Sequence, residues 1–490
     1  MTELLDRTVS RFPQRRAIAD QDHSYTFLQL RQLAWKTAAQ LPVCMEGPVG
    51  VMAHRCAETA ALFFGVLYSG NAYLPLDPDW PEEKLRTVLE ETHTSLVLSD
   101  REEAPTGPAE WLTVDLSAPE NAAAPAPLPQ GDRPLYYIST SGSTGKPKCI
   151  CKTHYAMDAF LCAYQETFAF EETTVIGNQT PFCFDASAKD LYLMAACGAC
   201  LEILPTELFT MPVRLIRYMN QRQVNFISWV PSALSIVSKL NTFSEILPEA
   251  LKRVFFVGEV FPVRQFLKWQ KALPQAEFVN LYGSSEICGV ACVCPITEAP
   301  AEGQGLPIGR PLPGCRVCLV DKGQVVREPG VPGEIWISGD SLALGYYGDP
   351  ERTARQFTDT DLGQGLRRWY HSGDIARYDT QGRLCFSARE DFQIKHMGHR
   401  IELGEIETAA QALEGVESCC CLYQARRQQI VLFCQIRQGC ELTEASVRSG
   451  LRRRIPGYMI PQRVRFLEDF PMNAYGKIDR AAMSAALNEK

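Results

Sequence analysis

Short apolar runs alternate with amphipathic stretches between residues 174 and 272, and this alternation constrains the fold more than any other feature of the sequence. Strand-like runs lie at 174–177, 200–204, 225–229 and 253–257, and helical periodicity lies at 188–197, 213–221, 232–239 and 263–272. Strands that alternate with helices are typical of a parallel sheet covered by helices. The sequence therefore predicts an α/β fold, in which ligands bind outside the carboxyl ends of the strands.

The flanking segments extend this prediction to the whole chain. Before residue 174 the patterns predict helices at 2–10, 27–41 and 58–68, a hairpin at 17–26, and strands at 49–52, 95–98 and 135–138. Residues 102–134 are rich in Pro and Ala and read as a surface connection, and residues 309–378 are β-rich. From residue 391 a compact α+β unit follows, with helices at 405–413 and 444–453, strands at 418–423 and 430–436, and a polar tail. We expect a large unit over 1–390 and a small unit over 391–490.

A hydroxyl-rich stretch, Ser139–Lys148, follows the strand at 135–138. Its glycines let the backbone approach a ligand, and its hydroxyls and exposed N–H groups can donate to phosphate oxygens. A Ser/Gly/Thr run on its own also fits a solvated turn. Its position after a strand, and the Lys-Pro-Lys at its end, favour a phosphate loop.

This stretch resembles the phosphate loop of the adenylate-forming superfamily, which contains acyl-CoA synthetases, luciferases and the amino-acid adenylation domains of peptide synthetases. Further motifs follow in the family's order. Asn280–Glu286 resembles Asn-x-Tyr-Gly-Pro-Thr-Glu with Ser284 for Pro, His371–Asp374 resembles Thr-Gly-Asp, and Ala388–Asp391 resembles Gly-Arg-x-Asp. The resemblance implies a large AMP-binding domain of stacked α/β sheets with a β-rich subdomain, and a small mobile α+β C-terminal domain that turns about a hinge at Asp391.

The resemblance also assigns roles to residues. Tyr282 would face adenine, Ser285 the α-phosphate, Asp374 the ribose hydroxyls, and Glu286 would bind Mg²⁺, which prefers oxygen ligands. The implied ATP and AMP ligands are Thr140, Ser141, Gly142, Ser143, Thr144, Gly145, Lys146, Gly258, Glu259, Asn280, Leu281, Tyr282, Gly283, Ser284, Ser285, Asp374, Arg389 and Lys477. Strand–turn junctions and Asx turns are the structural alternatives for these short motifs.

Asn473–Arg480 resembles the terminal Asn-Gly-Lys-x-Asp-Arg motif, and its position marks Lys477 as the catalytic lysine. In the implied reaction a carboxylate attacks the α-phosphorus of ATP, pyrophosphate leaves, and a thiol then takes the acyl group. Both reactants of the first step are anions, so neutralising their charge is the first task. We expect ATP and Mg²⁺ as cofactors and a phosphopantetheinylated carrier protein as a partner in trans.

The acid to be activated is predicted from Phe184-Asp185-Ala186-Ser187, which resembles an element of amino-acid adenylation domains whose aspartate pairs with the substrate ammonium. A helix N-cap aspartate is the alternative. By the same comparison the pocket would contain Asp185, Ala186, Lys189, Ser228, Phe255, Val257, Leu281, Gly289 and Val290. The prediction is activation of a small amino acid, with an acyl-CoA synthetase for a non-amino acid as the alternative.

The direction of the Lys189 side chain is not predicted, and each direction would favour a different class of substrate. If its side chain points inward it could pair with a glutamate or aspartate substrate, and if it points to solvent a small amino acid fits. Asp190–Tyr192, Val257–Val260 and Asp391–Lys395 resemble free-standing D-alanine–carrier protein ligases. Those ligases have a cysteine where Val257 stands, which puts D-alanine itself in doubt.

Composition excludes other classes. The formal net charge of −8 argues against a nucleic-acid partner, whose phosphates are bound by Lys and Arg. The sequence has neither a run of 18 apolar residues nor a signal peptide, so we expect no membrane insertion. The 19 cysteines lack disulfide or zinc spacing and indicate reduced thiols, which favours the cytoplasm. A non-catalytic nucleotide-binding protein is disfavoured because Lys477, Glu286 and Asp374 occur together.

Overall fold

The computed structural model of the chain describes a mixed α/β protein. The described residues are 1–99, 107, 109–117, 131–140, 147–298, 300, 305–363, 365–389, 393–425, 427–472 and 478–488. Its α/β class and its division into a large N-terminal part and a small C-terminal part confirm the predicted fold class.

The strands are short and lie along the whole chain. In order they are β1 (Arg16–Ala19), β2 (Ser24–Thr26), β3 (Val49–Met52), β4 (Tyr73–Leu76), β5 (Leu96–Leu98), β6 (Glu110–Leu112), β7 (Pro134–Thr140), β8 (Lys148–Thr153), β9 (Val175–Asn178), β10 (Cys200–Ile203), β11 (Phe226–Trp229), β12 (Arg253–Val257), β13 (Glu277–Tyr282), β14 (Cys292–Pro295), β15 (Arg310–Pro311), β16 (Cys315–Asp321), β17 (Gln324–Val326), β18 (Pro332–Gly339), β19 (Gly345–Tyr346), β20 (Phe357–Asp361), β21 (Leu366–Tyr378), β22 (Leu384–Arg389), β23 (Gln393–His396), β24 (His399–Glu402), β25 (Val416–Gln424), β26 (Gln429–Ile436) and β27 (Arg463–Phe466).

The helices connect these strands. They are α1 (Thr2–Arg11), α2 (Phe27–Ala39), α3 (Ala57–Tyr68), α4 (Glu82–Glu91), α5 (His154–Phe168), α6 (Asp185–Cys197), α7 (Pro212–Gln221), α8 (Pro231–Lys239), α9 (Val263–Ala272), α10 (Pro350–Gln356), α11 (Leu403–Gln411), α12 (Glu444–Arg452) and α13 (Arg480–Asn488). Local chemistry fixes their ends: α2 begins at a capping box in which Thr26 and Gln29 bond each other's backbone N–H, and α6 ends at Gly198 with a φ of 79°.

Two large sheets and a smaller one form the N-terminal part. A nine-stranded sheet has the order β15-β14-β13-β12-β11-β9-β10-β1-β2, and a seven-stranded sheet has the order β19-β8-β7-β4-β3-β5-β6. The pairs among β9 to β13 are parallel, as the alternation predicts. The third sheet, β17-β16-β18-β21-β20 with β22 beside β21, is antiparallel and forms the predicted β-rich region.

One apolar cluster holds the two large sheets together. It includes side chains of both sheets and of α2, α3, α5 and α6. Phe64 of α3 meets Tyr192 of α6 edge to face at 5.9 Å, and Phe63 stacks on Tyr73 of β4 at 4.3 Å. These helices therefore pack in the apolar core that the two sheets share.

The C-terminal part consists of the β23–β24 hairpin, a sheet of order β25-β26-β27, and the helices α11 to α13. It has its own apolar core, which includes Ile406, Val416 and Leu451. Four ion pairs among the described residues join it to the N-terminal part: Lys84 with Glu405 at 2.8 Å, Lys148 with Glu402 at 3.0 Å, Arg400 with Glu286 at 2.8 Å, and Arg454 with Glu83 at 3.4 Å.

The structure corrects the sequence analysis in several places. β4 and α4 were not predicted, the connection at 102–134 contains β6, and the polar tail contains β27 and α13. The 19 cysteines are free thiols, as expected. Among the described residues no helix combines the length and apolar character needed to cross a bilayer.

Candidate active site

The carboxyl ends of β12 and β13 bring two predicted nucleotide motifs together. The strands are parallel and neighbouring, with Val257 opposite Leu281, so both chains leave the sheet at one edge. Glu259 follows β12 and accepts hydrogen bonds from the backbone N–H of Ser232 at 2.9 Å and of Gly398 at 2.7 Å. Because Gly398 lies in the turn of the β23–β24 hairpin, Glu259 also fixes that hairpin over the sheet edge.

Asp374 forms the centre of a buried polar group beside this edge. Its carboxylate accepts a hydrogen bond from Tyr282 Oη at 2.5 Å and one from Arg389 Nη1 at 2.6 Å. Asp374 and Arg389 lie directly opposite each other on β21 and β22. Burial and the neighbouring carboxylate raise the pKa of Tyr282 well above its usual range, so its phenol stays a donor. Three residues from separate motifs thus meet, and their contacts with a nucleotide stay predictions.

Glu286, the predicted Mg²⁺ ligand, is fully buried and both its oxygens have partners. Tyr346 Oη donates to Oε1 and Arg400 Nη1 donates to Oε2, each at 2.8 Å. Burial alone would raise the pKa of Glu286, but the charges of Arg400 and Lys148 outweigh it and hold the pKa well below its usual range. An ionised carboxylate is a suitable Mg²⁺ ligand, but the charge of Glu286 is already neutralised by its ion pair with Arg400. In this arrangement the donor set does not fit the ion.

Several predicted site residues cannot be placed. Ser141, Gly142, Ser143, Thr144, Gly145 and Lys146 of the phosphate loop, the hinge Asp391 and the catalytic Lys477 lie outside the described residues. Thr140 and Lys148, which flank the loop, are described. Lys148 Nζ donates to Glu402 at 3.0 Å, and burial followed by the charge of Arg400 lowers its pKa.

A cavity of about 150 Å³ lies between the sheet edge and the hairpin. It is bordered by Thr140, Gly258, Gly283, Ser284, Ser285 and Arg389 of the predicted nucleotide set and by Asp185, Ala186, Val257 and Gly289 of the predicted pocket. The other predicted pocket residues, Lys189, Ser228, Phe255, Leu281 and Val290, are buried but do not border it. Asn280 is also buried, and its amide donates to Pro307 O at 2.8 Å. A second cavity of about 550 Å³ shares Arg389 and Arg400 with the first.

Asp185 is the first residue of α6 and does not cap it, because the residue before it is the N-cap. Its carboxylate instead accepts a hydrogen bond from Tyr136 Oη at 2.7 Å and forms an ion pair with Lys152 Nζ at 2.7 Å. Lys152 was missed by the sequence analysis. The signal that could have found it is a lysine at the fifth position of β8, a strand whose neighbouring residues are otherwise buried.

Lys189 is buried, so the interpretation that it points to solvent is wrong. Its ammonium lies 2.6 Å from Oδ1 of Asp190, which follows it in the chain. Burial raises the pKa of Asp190, and the charge of Lys189 opposes this rise. The lysine is therefore neutralised within the protein, and nothing in this contact requires a carboxylate from a substrate.

Comparison with known proteins defines the class. The model of the AMP-binding enzyme family matches residues 5–347, and that of the AMP-binding enzyme C-terminal domain matches residues 405–477. The chain therefore belongs to the AMP-binding enzyme family. It is an adenylate-forming enzyme of the nonribosomal peptide synthetase type, and its relatives are adenylation domains of such synthetases. Enzymes of this class use ATP.

Individual relatives support this assignment. One of the plipastatin synthase subunits of Bacillus subtilis is 33% identical over 98% of this chain and 19% of its own length. The chain thus spans about a fifth of the length of the first curated relatives that it matches. Among solved structures, holo-PA1221, an NRPS protein containing adenylation and PCP domains, is 27% identical with a TM-score of 0.84, over 98% of this chain and 83% of that one. An o-succinylbenzoate CoA synthetase from Bacillus subtilis, 17% identical over 98% of each chain, shares the fold with a TM-score of 0.87.

Proposed function

We propose that this protein activates a carboxylic acid with ATP, releasing pyrophosphate, and transfers the acyl group to the phosphopantetheine thiol of a separate carrier protein. The observation that carries the proposal is the cavity between the sheet edge and the hairpin. Residues of the predicted nucleotide set and of the predicted acid pocket border the same 150 Å³ space. An acid and the α-phosphate of ATP bound there would be neighbours, which is the first requirement of the reaction.

Cationic side chains around this space suit two anionic reactants. Arg389 and Arg400 border both cavities, and Lys148 borders the larger one. Fixed positive charges at a partly buried site stabilise the charge that develops on the phosphate without reorganising at the moment of reaction. Lys477 stays the predicted catalytic lysine, and Asp391 the predicted hinge between domains 1–390 and 391–490. Mg²⁺ is expected with ATP, but we derive no step through it because Glu286 is paired with Arg400.

The relatives favour amino acids and a carrier as the reaction partners. The relatives include subunits of plipastatin synthase and mycosubtilin synthase. The solved relative PA1221 contains an adenylation domain and a PCP domain. The sequence points the same way through Asp185. We propose the cytoplasm as the place of the reaction, because free thiols suit a reducing compartment.

A second candidate is an acyl-CoA synthetase for a non-amino acid. One observation favours it: the carboxylate of Asp185, which an amino-acid substrate would need, is already paired with Lys152. The two candidates share adenylation and differ in the acid and in the thiol. They are therefore separated by the acid that drives pyrophosphate exchange and by the thiol that accepts the acyl group.

Acid-dependent exchange of pyrophosphate into ATP tests adenylation, and transfer of the acyl group to coenzyme A or to a phosphopantetheinylated carrier identifies the thiol. We expect exchange with at least one acid and transfer to the carrier. Lys477→Ala should lose most of the exchange and retain most of the ATP binding. Unchanged exchange in that variant would contradict the assignment of Lys477, and absence of exchange with every acid would contradict the proposed function.

A further inference from the structure

The ion pair between Lys152 and Asp185 lies directly behind the cavity of the proposed site. Lys152 Nζ is 2.7 Å from each oxygen of the Asp185 carboxylate and 2.6 Å from the carbonyl oxygen of Ile287. Its side chain is 0% exposed, whereas that of Asp185 is 14% exposed and borders the cavity. Lys152 does not border the cavity, so it would act on a substrate only through Asp185.

This arrangement holds the lysine charge in place. A buried ammonium is tolerated only when it is paired and hydrogen-bonded. Among the described residues the ion pair of Lys152 is with Asp185 alone, and the face of the Tyr136 ring supplies a further contact at 5.6 Å from Nζ. Withdrawal of the aspartate toward a substrate would leave the lysine charge uncompensated in the core. We therefore expect the pair to persist when a substrate binds.

The remaining capacity of Asp185 is small. A carboxylate has about four acceptor positions. Lys152 uses one on each oxygen, and the hydroxyl of Tyr136 uses another on Oδ1. One position remains, and the negative charge is already neutralised. A hydroxyl, which has one neutral O–H donor, suits the one remaining acceptor position of Asp185. An ammonium does not, because its charge would lie beside that of Lys152 with no free anion between them.

We propose that Lys152 supplies the positive charge that an amino-acid substrate would otherwise bring to Asp185, and that the site therefore selects carboxylic acids without an ammonium group beside the carboxylate. An α-hydroxy acid is the class that best fits the remaining acceptor. The inference rests on the proposed function, since it concerns the acid of the same adenylation reaction. Lys152 is in this view a positioning residue that sets specificity through Asp185.

The first experiment compares matched acids in the pyrophosphate exchange assay with the full chain. Each set contains an amino acid and its α-hydroxy and unsubstituted counterparts: alanine with lactate and propionate, leucine with 2-hydroxy-4-methylpentanoate and 4-methylpentanoate, and glutamate with 2-hydroxyglutarate and glutarate. We expect the best hydroxy or unsubstituted acid to exceed its amino acid in kcat/KM by roughly a hundredfold, the size of a buried charge mismatch.

Two variants isolate the charge of Asp185. Lys152→Met keeps an unbranched apolar chain and frees the carboxylate. The ratio of kcat/KM for the amino acid to kcat/KM for its hydroxy or unsubstituted counterpart should therefore rise by at least about tenfold. The matched control, Lys152→Met with Asp185→Asn, removes the same lysine but leaves no charge, and it should keep the preference of the wild type. A role in packing alone would move both variants equally.

Each outcome decides a separate point. Exchange with amino acids and not with their counterparts in the wild type would overturn the inference and leave the proposed function intact. Exchange with none of the acids would overturn the proposed function and the inference with it. If Lys152→Met does not fold, the comparison of the matched acids with the wild-type protein still decides whether the site prefers acids without an ammonium group. If both variants shift equally, the assignment to Lys152 and Asp185 is wrong.

Discussion

Replacement of Asp374 by asparagine tests the nucleotide site most directly. The side chain is 3% exposed, and Tyr282 and Arg389 occupy two of its roughly four acceptor positions. Two positions therefore remain, which matches the two ribose hydroxyls that the resemblance assigns to this residue. Asp374→Asn keeps the shape and removes the charge. Loss of two charge-assisted hydrogen bonds of about 1.5 kcal/mol each amounts to about 3 kcal/mol, or roughly a hundredfold in affinity for ATP.

The assay is the KM for ATP in pyrophosphate exchange, with the thermal midpoint of each variant as a check of folding. Tyr282→Phe is the control, because it removes one neutral donor to the same carboxylate and should change the KM only a few-fold. A folded Asp374→Asn variant whose KM for ATP stays within about threefold of the wild type would refute the assignment of Asp374 to the ribose.

Three further predictions concern packing and pH. Gly289 has a φ of 67°, and a Cβ there would lie 2.3 Å from ring carbons of Phe160, so Gly289→Ala should lower the free energy of unfolding by about 1–3 kcal/mol beyond the strain of that φ. Lys189→Met should cost about 3–5 kcal/mol, measured by urea unfolding, because it leaves the carboxylate of Asp190 buried and unpaired. Burial and a neighbouring histidine lower the pKa of His399 from 6.5 to about 4; the unfolded chain therefore binds the proton first, and stability should fall as pH falls from 6.5 to 4.

Matched variants separate these causes from general damage. Gly314→Ala has a similar φ of 78° but no atom within 4 Å of the new Cβ, so it should show the backbone strain alone. Lys189→Met combined with Asp190→Asn should recover part of the stability. His399→Phe keeps the stacking on Tyr458, at 3.8 Å in the native protein, and should flatten the pH dependence. Equal losses of stability in the two glycine variants would contradict the clash with Phe160. No recovery in the double variant would contradict the explanation by an unpaired Asp190, and an unchanged dependence of stability on pH would contradict the role of His399.

The local features of this chain were predictable from its sequence. The strands from β9 to β12 agree with the predicted runs within one or two residues, because a buried parallel strand must be apolar along its length. The motifs around Glu259 and Tyr282 were found because short polar runs follow predicted strands, whereas Asp374, which lies within β21, was found through the resemblance of His371–Asp374 to a family motif. Their meeting at one edge follows from the parallel pairing of β12 and β13 and from the position of β21.

The sequence by itself determined the class of fold and the family, because both depend on the order of short patterns along the chain. Only the tertiary structure decided how the charges are paired. Lys152 and Asp185 are 33 residues apart, and Arg400 and Glu286 are 114 apart, so no local pattern reveals that either pair forms. A buried charge takes whichever partner the packed sheets bring within reach, and that choice places a lysine of the chain where a substrate ammonium was predicted.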